Sequence, residues 1–360
     1  MGKELSINVR TNIILWLFSG CFLIFIMVVV GGITRLTGSG LSITKWDVVT
    51  GTIPPLTDAA WAKEFAHYAE TPQFKKINAH FGIEDFKQIY FWEYIHRLIG
   101  RVIGIVFIIP FTWFLIKKQL SKELIWKCAL LFFMGGLQGF IGWYMVKSGL
   151  VDIPSVSHFR LALHLTTAFM TFGLTFWFAF ELIHTEKIKL TGWHKKLFRF
   201  SIIAFVLTVI QIIYGAFVAG LKAGYIYNTW PMMGETLIPD SVYYALDTMG
   251  VKAFIDNMSG VQLVHRYIAY LLAAAIIGLG WYAISGQKNR NLKLNAGQLQ
   301  AIYLVVTIVI LQFILGVLTL VYNVPIVLGV LHQVGAFFLF SSMIYLLHKM
   351  RRQSVAEANR

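Results

Sequence analysis

The chain has 360 residues, 57% of them hydrophobic and only 13% charged, and its net charge is +14. So apolar a composition excludes a soluble domain of this size and points to a polytopic helical membrane protein. Cys21 and Cys128 both lie inside apolar runs without a CxxC spacing, so disulfide frameworks and zinc sites drop out, and basic residues confined to short connectors argue against nucleic acid.

Eight runs are long enough to cross a bilayer, at about 20 residues each. They lie near 12–33, 90–116, 124–146, 158–183, 198–219, 261–284, 299–322 and 326–348. The first is too long for a signal-peptide core and lacks a small-residue cleavage site, so it reads as a span, and no Arg/Ser-rich transit segment precedes it. Short basic connectors follow spans 2, 4 and 6, carrying Lys117, Lys118, Lys122 and Lys127, then Lys187, Lys189, Lys195, Lys196 and Arg199, then Lys288, Arg290 and Lys293. With Lys3, Arg10, Lys349, Arg351, Arg352 and Arg360 they place more than half of the 31 basic residues on one side. Both termini are therefore expected in the cytoplasm, and the 34–89 and 220–260 loops outside as partly folded caps.

The first half of the chain recurs in the second. Gly31-Gly32 at the end of span 1 answers to Tyr214-Gly215 near the end of span 5, with Lys45-Trp46 against Thr229-Trp230 and Ile53-Pro54 against Ile238-Pro239. Glu93-Tyr94-Ile95-His96-Arg97 on span 2 answers to Gln262-Leu263-Val264-His265-Arg266 on span 6. Gln138 and Gly142 answer to Gln312 and Gly316, and His164 to His332. His96 and His164 are 68 residues apart, and His265 and His332 are 67. Corresponding spans cross in the same direction, so the expected architecture is all-α, with eight transmembrane helices as two parallel-repeat four-helix bundles, residues 1–190 and 191–360. Inverted repeats typical of many transporters do not fit it.

Each half thus offers two histidines near the outward helix ends. Zinc would want three or four ligands, whereas two imidazoles facing across a bundle suit an axial pair on a haem iron. Arg97 and Arg266 follow their histidines directly, where a guanidinium could meet a haem propionate. His67 and His80 have no second-half counterpart, His184, His194 and His348 lie at cytoplasmic helix ends, and His158 is off the helical face of His164 and reads as structural. Glu93 and Gln262 occupy matching places three residues before a histidine. A carboxylate there can take a proton or stabilise a cation and a carboxamide does neither well, so the first half reads as the reaction site and the second as an electron-holding site.

Taken together, the motifs Gly32-Ile33-Thr34-Arg35-Leu36-Thr37-Gly38-Ser39-Gly40-Leu41-Ser42, Val49-Thr50-Gly51-Thr52-Ile53-Pro54-Pro55, Glu93-Tyr94-Ile95-His96-Arg97, Phe159-Arg160-Leu161-Ala162-Leu163-His164-Leu165, Asn228-Thr229-Trp230-Pro231-Met232-Met233-Gly234, Val264-His265-Arg266 and Leu331-His332-Gln333 occur in an ordered set. The chain resembles the haem A synthase family in this set, from Gly31 to His332, and its long first outer loop resembles the mitochondrial and proteobacterial branch. Some bacterial members carry a cysteine pair in that loop, and this chain has none there. The resemblance implies an inner-membrane oxidoreductase acting on CH or CH2 groups, turning the C8 methyl of haem O into a formyl group with oxygen from water. It implies haem b (iron) held by His265 and His332 with Arg266 nearby, haem O received near His96, His164 and Arg97, and Glu93 as the catalytic carboxylate. It also implies haem O synthase as donor and a membrane electron acceptor such as a quinone, and a homo-oligomer is compatible with the sequence. A di-haem b-type carrier linked to quinol is the rival reading. It explains the histidines equally well but leaves Glu93 and the caps without a purpose, and a transporter comes third.

Overall fold

The computed structural model describes residues 7–46, 50–150, 154–183, 192–289 and 294–351. His184, Val49, Lys3, Lys187, Lys189, Arg290, Lys293, Arg352 and Arg360 lie outside them. Among the described residues the regular structure is helical: α1 (Ile7–Leu36), α2 (Asp58–Ala69), α3 (Pro72–Lys76), α4 (Ile83–Ile116), α5 (Lys122–Lys147), α6 (His158–Ile183), α7 (Gly192–Gly220), α8 (Asp240–Met249), α9 (Ala253–Asp256), α10 (Met258–Asn289), α11 (Ala296–Val321) and α12 (Ile326–Arg351). Eight of these, α1, α4, α5, α6, α7, α10, α11 and α12, are long and apolar enough to cross a membrane, as expected.

Several run past their apolar cores, because polar residues cap them. The largest difference is at α4, expected from residue 90 and found from Ile83. Gly82 N–H donates to Asp85 Oδ2 at 3.0 Å, and Glu84 and Asp85 meet the positive end of the helix. The α5 start is fixed by Ser121 Oγ accepting from Leu124 N, and α11 starts with a reciprocal Asn295–Gln298 box.

The chain forms two compact units, Met1–Thr175 and Phe176–Arg360. In the first, α1 and α4 run antiparallel: Thr34 lies beside Trp92, Gly31 beside His96, Met27 beside Gly100 and Trp16 beside Val106. The Trp16 contact has a covalent origin. Pro110 lies inside α4 and has no N–H to offer the carbonyl four residues back, which belongs to Val106. Trp16 Nε1 donates to that freed oxygen at 2.9 Å, and its ring packs among Phe107, Phe111 and Phe114. In the second unit α7, α10, α11 and α12 close into a ring around Leu197, Ile276, Ile302, Val305, Met343 and Leu346. Lipid is as apolar as these side chains, so close packing and polar ties, more than water exclusion, hold such helices together.

Both long loops fold back as caps. In the first, α2 and α3 pack Tyr68, Trp61, Phe65 and Phe74 on Phe86 and Tyr90 of the early part of α4. Asn78 Nδ2 donates to the Tyr68 hydroxyl at 2.8 Å. Burial pushes that phenol's pKa up, the Asn78 contact opposes this, and the charge of Glu93 adds to it, so the ring enters the cap neutral. In the second, Met233 and Val242 pack on Leu263 of α10, and Tyr227, Ser241 and Ser259 link through their hydroxyls.

Candidate functional site

Each of the four matched histidines rests on a glycine of a neighbouring helix. A Cβ added at Gly31 would meet His96 Cε1 at 3.1 Å, one at Gly142 would meet His164 Cε1 at 3.2 Å, one at Gly215 would meet His265 Cε1 at 3.4 Å, and one at Gly316 would meet His332 Cε1 at 2.9 Å. The glycines let the Cε1 corner of each imidazole come close to a bare helix backbone. His96 on α4 and His164 on α6 belong to the first unit, and His265 on α10 and His332 on α12 to the second. The first unit therefore holds one histidine pair and the second unit another.

Glutamines bind three of the four from behind. Gln138 Nε2 donates to the backbone carbonyl of His164 at 3.0 Å. Gln312 Nε2 donates to that of His332 at 2.9 Å and lies 3.1 Å from its ring Nδ1. Gln211 Nε2 donates to that of His265 at 3.1 Å and lies 3.4 Å from its ring Nε2. The Nδ1 atoms of His96, His164 and His265 are buried without a hydrogen-bond partner.

Buried imidazole nitrogens left unsatisfied are costly unless something binds them. Among the described residues no group of three or more His, Cys, Asp or Glu could hold a bare metal ion. Paired imidazoles padded by glycine fit a planar iron macrocycle, which needs axial ligands above and below and room for its edges. The residues present therefore fit haem.

Glu93 sits one helical turn before His96 and is 3% exposed. Its Oε2 accepts from Ser42 N (2.7 Å), Ser42 Oγ (2.8 Å) and Ile43 N (2.9 Å), and its Oε1 accepts from Arg97 Nη2 (2.6 Å). The loop reaches it because α1 ends in a turn at Gly38, whose φ of 69° suits glycine, with Ser39 N–H closing on Thr34 O. Arg97 also donates to Lys45 O and Ile43 O and lies 4.7 Å from the Trp46 ring centre.

Its counterpart works with opposite polarity. Gln262 Nε2 donates to Tyr227 O at 3.1 Å, while Arg266 donates to Tyr227 O, Thr229 O and Met232 O. The first cap turns N–H groups toward position 93 and so needs a carboxylate there. The second turns a carbonyl toward position 262 and so needs an amide. The Glu/Gln difference thus has a structural cause besides the chemical one read from the sequence. Both arginines spend their guanidinium Nη atoms on cap carbonyls, and the Nε of Arg266 stays buried without a partner.

Of the other histidines, His158 is buried at the start of α6, His67 lies 3.3 Å from Lys45 Nζ, and His348 packs against Trp177 and Phe180. In the sequence Gln138 and Gln312 stand out only as repeat positions, and Gln211 has no repeat partner. A lone amide four residues before Gly215, inside an apolar run, was the available signal.

The family model described as COX15-CtaA, Cytochrome oxidase assembly protein, matches residues 14–344. A protein of Flavobacterium psychrophilum named heme A synthase is 50% identical over 95% of this chain and 98% of its own length. Heme A synthases of Nitrosospira multiformis and Wolbachia pipientis are 42% and 40% identical, over 96% and 95% of this chain and 95% and 93% of their own lengths.

Proposed function

This chain belongs to the COX15-CtaA family, and we propose that it is a membrane oxidoreductase that makes haem A from haem O for terminal oxidase assembly. The observation that carries the reading is the pair of glycine-padded histidine sites, one in each compact unit.

In this reading the second unit holds haem b between His265 and His332, and that group takes up electrons when bound. The first unit receives haem O between His96 and His164. Converting the ring methyl to a formyl group adds the oxygen of water and releases electrons and protons. Glu93 supplies negative charge one turn from His96, about 4.5 Å along the axis, and its hydrogen bonds to Ser42 and Ile43 hold the first cap over that helix end. Arg97 and Arg266 fasten the caps through backbone carbonyls and supply positive charge near the haem edges, where propionates are expected. A haem O synthase as donor and a membrane quinone as electron acceptor suit a substrate and a site confined to the bilayer.

The decisive experiment expresses the chain in cells that contain haem O and no other source of haem A, followed by chromatography of the extracted haems. Haem A should appear. Its absence, with the protein present in the membrane, would overturn the activity. We further propose a bacterial inner-membrane location with both termini in the cytoplasm, from the basic connectors after spans 2, 4 and 6. Reporter fusions after Arg360 and within residues 56–88 should report opposite sides, the first inside.

The glycine pads give another test. Gly316→Ala would bring Cβ within 2.9 Å of His332 Cε1 and force the ring to move, whereas Gly215→Ala leaves an ordinary contact of 3.4 Å. The low-spin haem b spectrum should weaken in the first variant and persist in the second.

A further inference from the structure

The two units differ in what lies along the helix that pads the second histidine. In the second unit the strip of α11 leading to Gly316, the pad of His332, is filled. Seven residues before that glycine stands Val309, buried in the core of the ring of helices. Three before it stands Phe313, whose ring lies 5.7 Å from that of Tyr270 on α10 and 6.4 Å from that of Trp230 in the cap. In the first unit the same places before Gly142, the pad of His164, are Gly135 and Gly139. Positions three, four and seven residues apart share one helix face, so these glycines line a smooth strip down α5. A Cβ added at Gly135 or Gly139 would meet nothing within 4 Å.

The strip has two ends. At one, His164 rests on Gly142 with its ring Nδ1 buried and without a partner. At the other, Phe132 of α5 stacks on Phe107 of α4 at 6.3 Å, and Gly104, three residues before Phe107, also borders open space. Phe132 and Gly142 are ten residues apart, about 15 Å along the helix. An apolar crevice beside α4 and α5 thus begins at the histidine and closes on an aromatic pair. The second unit has packed side chains at the matching level.

Haem O differs from haem b chiefly in a long isoprenoid chain at one edge of the ring. Such a chain is apolar and suits a bare helix face within the bilayer. We propose that the crevice leading from His164 takes the isoprenoid chain of the substrate, and that Gly139 and Phe313 are matched specificity residues. The glycine admits a prenylated macrocycle to the first unit, and the phenylalanine refuses it at the second. The inference rests on the reading of two haem sites given above. It explains how one repeated scaffold sorts two macrocycles that present the same iron to the same pair of ligands.

The test uses the full chain, purified in detergent and titrated with haem O and, separately, with haem B. Gly139→Phe should weaken binding of haem O about 10–100-fold, the effect of forcing a bulky side chain into occupied apolar space, and leave binding of haem B to either unit unchanged. Gly139→Ala, whose methyl meets nothing, should bind both haems as the wild type does. Phe313→Gly should let haem O compete with haem B for the second unit, a gain that cannot arise from a misfolded protein. Wild-type haem O binding in Gly139→Phe, equal weakening for both haems, or a second unit that still refuses haem O in Phe313→Gly would overturn the proposal. A wild-type chain that binds no haem O would instead refute the reading of the first site. One that binds it without making haem A would refute the activity and leave the crevice assignment standing.

Discussion

Glu93→Gln should cut haem A formation by about 10²–10⁴-fold, the usual cost of losing a general base or a charge stabiliser, while haem b stays bound to the second unit. An amide has one acceptor oxygen and one donor nitrogen where the carboxylate now accepts from three loop donors and from Arg97. Whichever way the amide turns, it sets a donor against a donor in a buried place, at a cost of about 1–3 kcal/mol. The cap segment around Ser42 and Ile43 should loosen, measured as faster amide hydrogen exchange over residues 40–46. Unreacted haem O should accumulate in extracts. Wild-type haem A levels would reduce Glu93 to the partner of Arg97, and loss of haem b along with the activity would show a general structural role. Full haem A formation despite faster exchange would separate the latch from the chemistry.

The other large effect concerns the second unit. On the proposed assignment of haem b to the second unit, His265→Ala or His332→Ala should abolish the low-spin b-type spectrum of the purified protein, because each would remove one of two axial donors. The spaces left lie beside Gly215 and Gly316, and neither glycine carries a side chain that could bind iron. Both variants should still insert in the membrane, since the packing of α7, α10, α11 and α12 rests on apolar side chains at other levels. A surviving low-spin spectrum in both would put the cofactor elsewhere.

The spans and the histidines were legible in the sequence because both depend on local pattern. Apolar length marks the eight helices, and helical spacing puts Glu93, His96 and Arg97 on one face. What surrounds the site was less legible. Ser42 and Glu93 are 51 residues apart, and whether the loop offers N–H or C=O to position 93 depends on a main-chain turn that no residue type announces. For that reason the change from Glu93 to Gln262 read from sequence as a change of chemistry alone, while the structure adds the reversal of hydrogen-bond polarity. The α4 start lies ahead of its apolar run because residues 83–89 are polar enough to end that run, and they are helical through capping and through packing under Tyr68. The glycine pads were visible as repeat marks, but their purpose appears only when the facing ring is in place.

The tie between Trp16 and the carbonyl freed by Pro110 bears on the order in which the protein is built. Synthesis delivers α1 to the bilayer long before α4. On arrival α4 brings a carbonyl at Val106 that its own helix cannot satisfy, and in hydrocarbon an unsatisfied backbone group costs several kcal/mol. The indole N–H of Trp16 waits in α1 with the complementary deficit, and docking the two helices cancels both. Neither helix is therefore a finished membrane span on its own, and the nascent chain has a reason to hold the first until the second arrives. The docking that satisfies them also sets the antiparallel register that brings Gly31 to His96, so biogenesis assembles the first histidine's bed before α6 supplies the second.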